Sequence, residues 1–162
     1  LTHIIVYNKK MVNKMTQSIV IKNKKVHFNY AITEKLEAGI ALKGCEIKSL
    51  RQGKASLVDS YVRIKQGEAF LINTYFAPYF YANDAKYDPR RERKLLLHKK
   101  EIERLENHIQ QKGYAVVPIR LYLKRGRAKI LIGLGKGKKK FDKRETIKKK
   151  TQQREMDRAL KK

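Results

Sequence analysis

The sequence predicts a mainly β domain with flanking helices, a small closed or partly open antiparallel barrel followed by a basic tail. Three observations carry that reading. In YAVVPIRLYLK the alternate residues Ala115, Val117, Ile119, Leu121 and Leu123 are all apolar, and past Arg125-Gly126 the set Ala128, Ile130, Ile132 and Leu134 repeats the pattern. Such a pair of runs reads as an antiparallel hairpin with one buried face. Short strand-like runs separated by turn residues outnumber helical stretches, as small barrels require. The last 27 residues, 136–162, carry a net +9 and hold only Phe141, Ile147, Met156, Ala159 and Leu160 as apolar side chains. That is too little to fix the segment onto a core, so it reads as a tail that is disordered when free.

The elements follow in chain order. Residues 1–18 read as an N-terminal extension; LTHIIVYNKKMVNK lacks the apolar stretch of a signal peptide, and Met15 is the expected native start. Residues 19–135 form the barrel domain. VHFNY at 26–30 is a strand candidate, and Thr33 is placed to cap a helix over 34–42 with Leu36 and Ile40 inward. Cys45 and Ile47 alternate with Glu46 and Lys48, which predicts a half-buried strand and makes Cys45 a small buried residue rather than a reactive thiol. Tyr61–Lys65 and residues 68–73 flank Gln66-Gly67 as a tight hairpin. Residues 74–93, with Pro78, Pro89 and the run YFAPYFY, read as a loop-like insert. Residues 99–112 read as a helix with Ile102, Leu105 and Ile109 on one stripe and Gly113 as its stop.

Composition removes several classes of function. A single cysteine excludes a disulfide framework, and there is no CxxC, HExxH or Cys/His cluster to hold a metal. His3, His27, His98 and His108 lie in no catalytic motif, Ser49, Ser56 and Ser60 lie in no GxSxG elbow, and GLGKGKKK does not match a phosphate-binding loop. No catalytic residue, metal or cofactor is therefore expected. No apolar run approaches the length of a membrane-spanning helix. A cytoplasmic protein is the simplest reading.

The charge points the other way, toward a polyanion. Lys and Arg number 40 against 15 Asp and Glu, a formal +25, of which residues 1–23 carry +4 and residues 24–135 carry +12. A lysine-rich solubilising surface is the plain alternative. A membrane surface is another, although the tail lacks the broad apolar face of an interfacial helix. The second face of the hairpin interleaves Tyr114, Arg120, Tyr122, Lys124 and Lys129, a mixture that suits bases stacking on rings while cations track phosphates. An ordinary solvated sheet face reads the same.

Three segments go beyond composition: GCEIKSLRQGKASLVDSYV at 44–62, DPRRERKLLLHKKEIERL at 88–105 and GKGKKKFDKRETIK at 135–148. In this order and spacing the chain resembles the small protein B family, the tmRNA-binding (SsrA-binding) proteins of bacterial ribosome rescue, over nearly all of residues 19–162. The resemblance implies a barrel of oligonucleotide-binding type that grips the tRNA-like domain of tmRNA. It implies RNA contacts at Glu37, Leu96 and His98, the last in a place where many relatives carry Asn. It further implies that the tail enters the decoding centre and messenger channel of a stalled ribosome. There Lys136, Gly137, Lys138, Lys139, Phe141, Asp142, Lys143 and Arg144 would meet small-subunit RNA, with Phe141 where relatives often carry His or Tyr. Elongation factor Tu and alanyl-tRNA synthetase are implied partners through tmRNA. A ribosome-associated or general single-strand RNA-binding protein, and a nuclease, are the rival readings.

Overall fold

In a computed structural model of the chain, residues 19–79, 87–111 and 113–160 are described. The expectations for residues 1–18, including the start at Met15, lie outside them. Nine strands are present in this part: β1 Val20–Lys22, β2 Tyr30–Ile40, β3 Ala55–Ser56, β4 Tyr61–Lys65, β5 Glu68–Ile72, β6 Tyr75–Phe76, β7 Arg93–Leu96, β8 Tyr114–Lys124 and β9 Arg127–Gly137. Four helices accompany them: α1 Val26–Asn29, α2 Gly44–Arg51, α3 Lys99–Ile109 and α4 Lys140–Ala159. The main sheet runs β1-β8-β4-β5-β7-β2-β9 with every pair antiparallel, and β9 pairs back onto β8. Six strands therefore close into a ring, β8-β4-β5-β7-β2-β9, with β1 added outside β8. The barrel expectation is borne out by that closure.

The two hairpin turns lie where the sequence puts them. Gln66 and Gly67 have φ of 53° and 70°, and Arg125 and Gly126 have φ of 50° and 76°. Two successive positive φ angles match the right-handed twist of the flanking strands. Inside the barrel, Ile130, Ile132 and Leu134 of β9 meet Leu121, Val116, Val62, Leu71, Ala38, Ile40 and Leu95. Helix α3 buries Ile102 and Leu105, with Ile109 packed on the core, as its stripe predicts.

Five local expectations are overturned. VHFN is a single helical turn, and only Tyr30 begins a strand. Residues 34–40 are strand, not helix. Leu36 and Ile40 are four apart, a spacing that fits one helical turn or two strand repeats, and Ala38 between them on the same inward face decides for the strand. Thr33 caps nothing: it sits at a register shift in β2 and its hydroxyl donates to the Leu134 carbonyl at 3.1 Å. Residues 44–51 are helix, not strand, because the buried positions are Glu46, Ser49 and Leu50 at helical spacing, and Cys45 is only half-buried. An inward face containing a glutamate and a serine is invisible to a hydrophobic pattern. Finally, a register shift between Pro118 and Arg120 reverses the faces of β8, so Val116 and Tyr114 lie on the core side with Leu121 and Leu123.

Glu46 and Arg93, both fully buried, account for much of the first two sequence motifs. Arg93 Nε donates to Glu46 Oε1 at 2.9 Å, its Nη1 to the carbonyls of Thr74 (2.8 Å) and Arg91 (2.7 Å), and its Nη2 to that of Pro89 (2.9 Å). The guanidinium also lies 4.4 Å from the Phe76 ring centroid. Arg91 Nε donates to Glu46 at 2.9 Å, and the Lys43 amide donates to the same carboxylate at 2.7 Å. Burial pushes the Glu46 pKa up, but these hydrogen bonds and the two arginine charges outweigh it and hold the group below the usual carboxylate range. The network ties α2 to the strand entering β7. It is scaffold, and it positions Leu95, Leu96 and the start of α3.

Candidate nucleic-acid interface

Strand alternation along β7 turns Leu95 into the core and Leu96 outward, where it is 57 % exposed. Leu97 packs on the core, as its neighbours allow. β7 pairs with β2 so that Leu96 lies opposite Gly39. A Cβ on Gly39 would sit 3.0 Å from that of Leu96, so the glycine is what lets the leucine lie across the strand. His98, two residues past the end of β7, is the N-cap of α3; its amide donates to Glu101 at 2.8 Å, and its side chain stays exposed.

Glu37, on the outer face of β2, accepts from the Tyr122 hydroxyl and from Lys124 Nζ at 3.2 Å. The hydroxyl and the ammonium hold its carboxyl below the usual range, while burial and the hydrogen bond to Glu37 raise the Tyr122 phenol. Arg120 lies 5.3 Å from the Tyr122 ring. Glu37, Leu96, His98 and Lys129 together line one open cleft of about 560 Å³. The three residues singled out on β2 and around β7 are thus brought to one place. Tyr122, Lys124 and Lys129 of the aromatic and cationic face join them. Their link to Glu37 runs through the register of β2 on β9 and β9 on β8, which no local pattern reveals. Tyr114 leaves that face and sits at the opposite end of β8.

At that opposite end the chain passes from β9 into α4. The Lys138 amide donates to the Asn29 carbonyl at 2.9 Å, and its Nζ to the His27 carbonyl at 2.9 Å and to Thr146 Oγ1 at 3.3 Å. Lys143 Nζ lies 5.7 Å from the Phe28 ring centroid, and Lys136 Nζ lies 6.0 Å from that of Tyr114. The Lys139 amide donates to Asp142 at 3.1 Å, a helix-starting contact. Of the eight tail residues named from the sequence, then, Lys138 and Lys143 stand the helix on α1, and Asp142 caps its first turn. Lys139, Phe141 and Arg144 are exposed. Beyond this root, Ile147, Met156 and Leu160 are exposed as well.

No group of three His, Cys, Asp or Glu side chains that could hold a metal is found among the described residues. No helix among them is long and apolar enough to cross a membrane.

Comparison with known proteins places the chain among relatives. The family model described as SmpB protein matches residues 20–162. The SsrA-binding protein of Geobacter sulfurreducens is 54 % identical over 146 residues, covering 90 % of this chain and 95 % of the relative. That of Shouchella clausii is 54 % identical over 143 residues, covering 88 % and 92 %. A chain of the solved structure "tmRNA-SmpB: a journey to the center of the bacterial ribosome" is similar to this one with a TM-score of 0.64 and 50 % identity, covering 75 % of this chain and 86 % of that one.

Proposed function

The chain belongs to the SmpB family, and from that premise we propose that it is a non-enzymatic RNA-binding adaptor that binds tmRNA and brings it to stalled ribosomes for peptide tagging. The observation that carries the reading is the separation of two features on one barrel, each of a chemistry that suits RNA. The cleft of Glu37, Leu96 and His98 lies beside outward-facing strand positions, and a cationic helix leaves from the opposite end.

The cleft suits a folded RNA. Leu96 offers an apolar surface for an exposed base, and His98 offers a ring that stacks or hydrogen bonds. Glu37 accepts from a base amino group or a 2′-hydroxyl. Tyr122 and Lys124 hold Glu37 ready in its charged form, so its orientation is set before RNA arrives. Lys94, paired with Glu68, and Lys129 supply positive field at the same cleft. The tail carries the second activity. Helix α4, with 20 residues, spans about 30 Å at about 1.5 Å per residue, enough to follow a channel in the ribosome, where Lys139, Arg144 and Phe141 meet small-subunit RNA with Lys136 at the root of the helix. The far part of the helix has no core to hold it and takes its order from that RNA. Elongation factor Tu and alanyl-tRNA synthetase act with this protein through tmRNA, in the cytoplasm.

Crosslinking in a cell extract, followed by sequencing of the bound RNA, tests the reading. One dominant tmRNA is the expected result. A broad spread of messages would mark a general single-strand-binding protein instead.

A further inference from the structure

The barrel has one weak seam. β4 and β8 share a single residue pair, Val62 with Val116, and part on either side of it. Between them, walled by α1 and the C-terminal end of α3, lies a crevice of about 640 Å³, within the roughly 300–1,000 Å³ typical of small-ligand pockets. It is distinct from the cleft of Glu37: Tyr30, on its wall, is seven positions along β2 from Glu37, about 23 Å at about 3.3 Å per residue.

The floor is apolar, with Val26, Val62 and Val116, and the walls carry three tyrosines, Tyr30, Tyr61 and Tyr114. Asn29 and Gln110 stand at the mouth, and their side-chain amides make no hydrogen bond among the described residues. Each amide offers both a donor and an acceptor, as the edge of a base requires. Lys25 and Arg63 are at the rim together with Asp59 and Glu106, and Arg63 is already paired with Glu92. Two carboxylates disfavour a phosphate inside but accept from the amino group of a base. The chemistry therefore suits a base pointing in with its phosphates outside, drawn by a protein of net charge +25.

Position selects which RNA. Tyr30 pairs with Gly137, and Tyr114 with Lys136, so the crevice opens at the end of the barrel from which the tail helix leaves. We propose that this crevice is a base pocket that takes one unstacked nucleobase of the ribosomal RNA surrounding the tail, with Tyr61 as its stacking platform. This rests on the adaptor reading above. Tyr61 is 43 % exposed, so its replacement spares the core.

The test is base-by-base chemical probing of ribosomal RNA in complexes of full-length protein, tmRNA and stalled ribosomes. Tyr61→Ala is expected to expose one discrete ribosomal base that the wild-type protein protects. It should weaken ribosome binding by about tenfold, as loss of one base–aromatic stack does, with melting temperature and tmRNA gel shifts unchanged. Tyr61→Phe should keep the protection. Unchanged ribosomal protection in Tyr61→Ala, or loss of protection on tmRNA instead, would overturn the pocket. If the wild-type protein protects no ribosomal base at all, the adaptor reading falls and the pocket with it.

Discussion

The barrel and the tail helix divide one positive chain between opposite physical regimes. In the barrel, Leu121, Ile130, Leu71 and Leu50 are fully buried, and each such side chain contributes about 1.5–3 kcal/mol relative to exposure. In the tail, Phe141 is 76 % and Leu160 is 86 % exposed, and that contribution is missing. Charge is treated just as differently. The barrel surrounds its buried Glu46 with two arginines and gives each nitrogen of Arg93 an acceptor, whereas Lys139, Lys140 and Arg144 of the tail stand in solvent. What the tail borrows from the barrel is direction, through Lys138 on α1 and Lys143 over Phe28. A folded body thus holds its shape by burial, and a cationic helix is aimed by two contacts at its root; under the proposed function the first serves tmRNA and the second the ribosome.

The largest expected effect breaks the barrel side. Glu46→Gln removes a buried charge and leaves Arg93 uncompensated, so unfolding stability should fall by about 3–5 kcal/mol, measured by denaturant titration. A loss below about 1 kcal/mol would show the network to be dispensable. The same carboxylate sets an acid limit. Its pKa in the folded state is held down, so it stabilises the fold above the pKa of the unfolded chain, and that part is lost as pH falls through the lower, folded value. Wild-type stability should therefore decline below the ordinary glutamate range, and Glu46→Gln should show less of that decline.

Next in size are Leu96→Ala and Glu37→Gln. Both side chains are on the surface, so the melting temperature should hold while tmRNA affinity in a gel shift falls about tenfold, the scale of one lost base contact. Unchanged affinity in both would remove the cleft from the RNA interface. The smallest effect sharpens the link between the two regions. Phe28→Ala loses the platform under Lys143, a contact worth about 0.5–1 kcal/mol at an exposed site. Peptide tagging should drop about two- to fivefold with tmRNA affinity intact, and equal loss of both would mean that α1 serves the barrel instead.

Much of the barrel was legible because its signals are local. The Gln66-Gly67 and Arg125-Gly126 turns, the alternation of β9 and the stripe of α3 each need only a few neighbouring residues. The failures share a different cause. β2 resembled a helix because Leu36 and Ile40 suit both periods. α2 resembled a strand because its buried face holds Glu46 and Ser49, whose partners lie more than 25 residues away at Arg91, Arg93 and Ala77. The bulge at Ile119 reversed one end of β8, and no alternation count sees a bulge. At the site, Glu37, Leu96 and His98 were named from motifs. That Tyr122 and Lys124 hold Glu37 depends on the register of three strands and needed the fold.

The central claim is that tmRNA binding belongs to the barrel and ribosome entry to the tail. It is tested most directly by ending the chain at Lys139 and measuring tmRNA affinity and tagging of stalled peptides on the same preparation. Affinity within about twofold of the full-length protein, with tagging abolished, is the predicted result, because the cleft of Glu37 lies at the far end of the barrel from the cut. Parallel loss of both activities, or tagging that survives without α4, would contradict it.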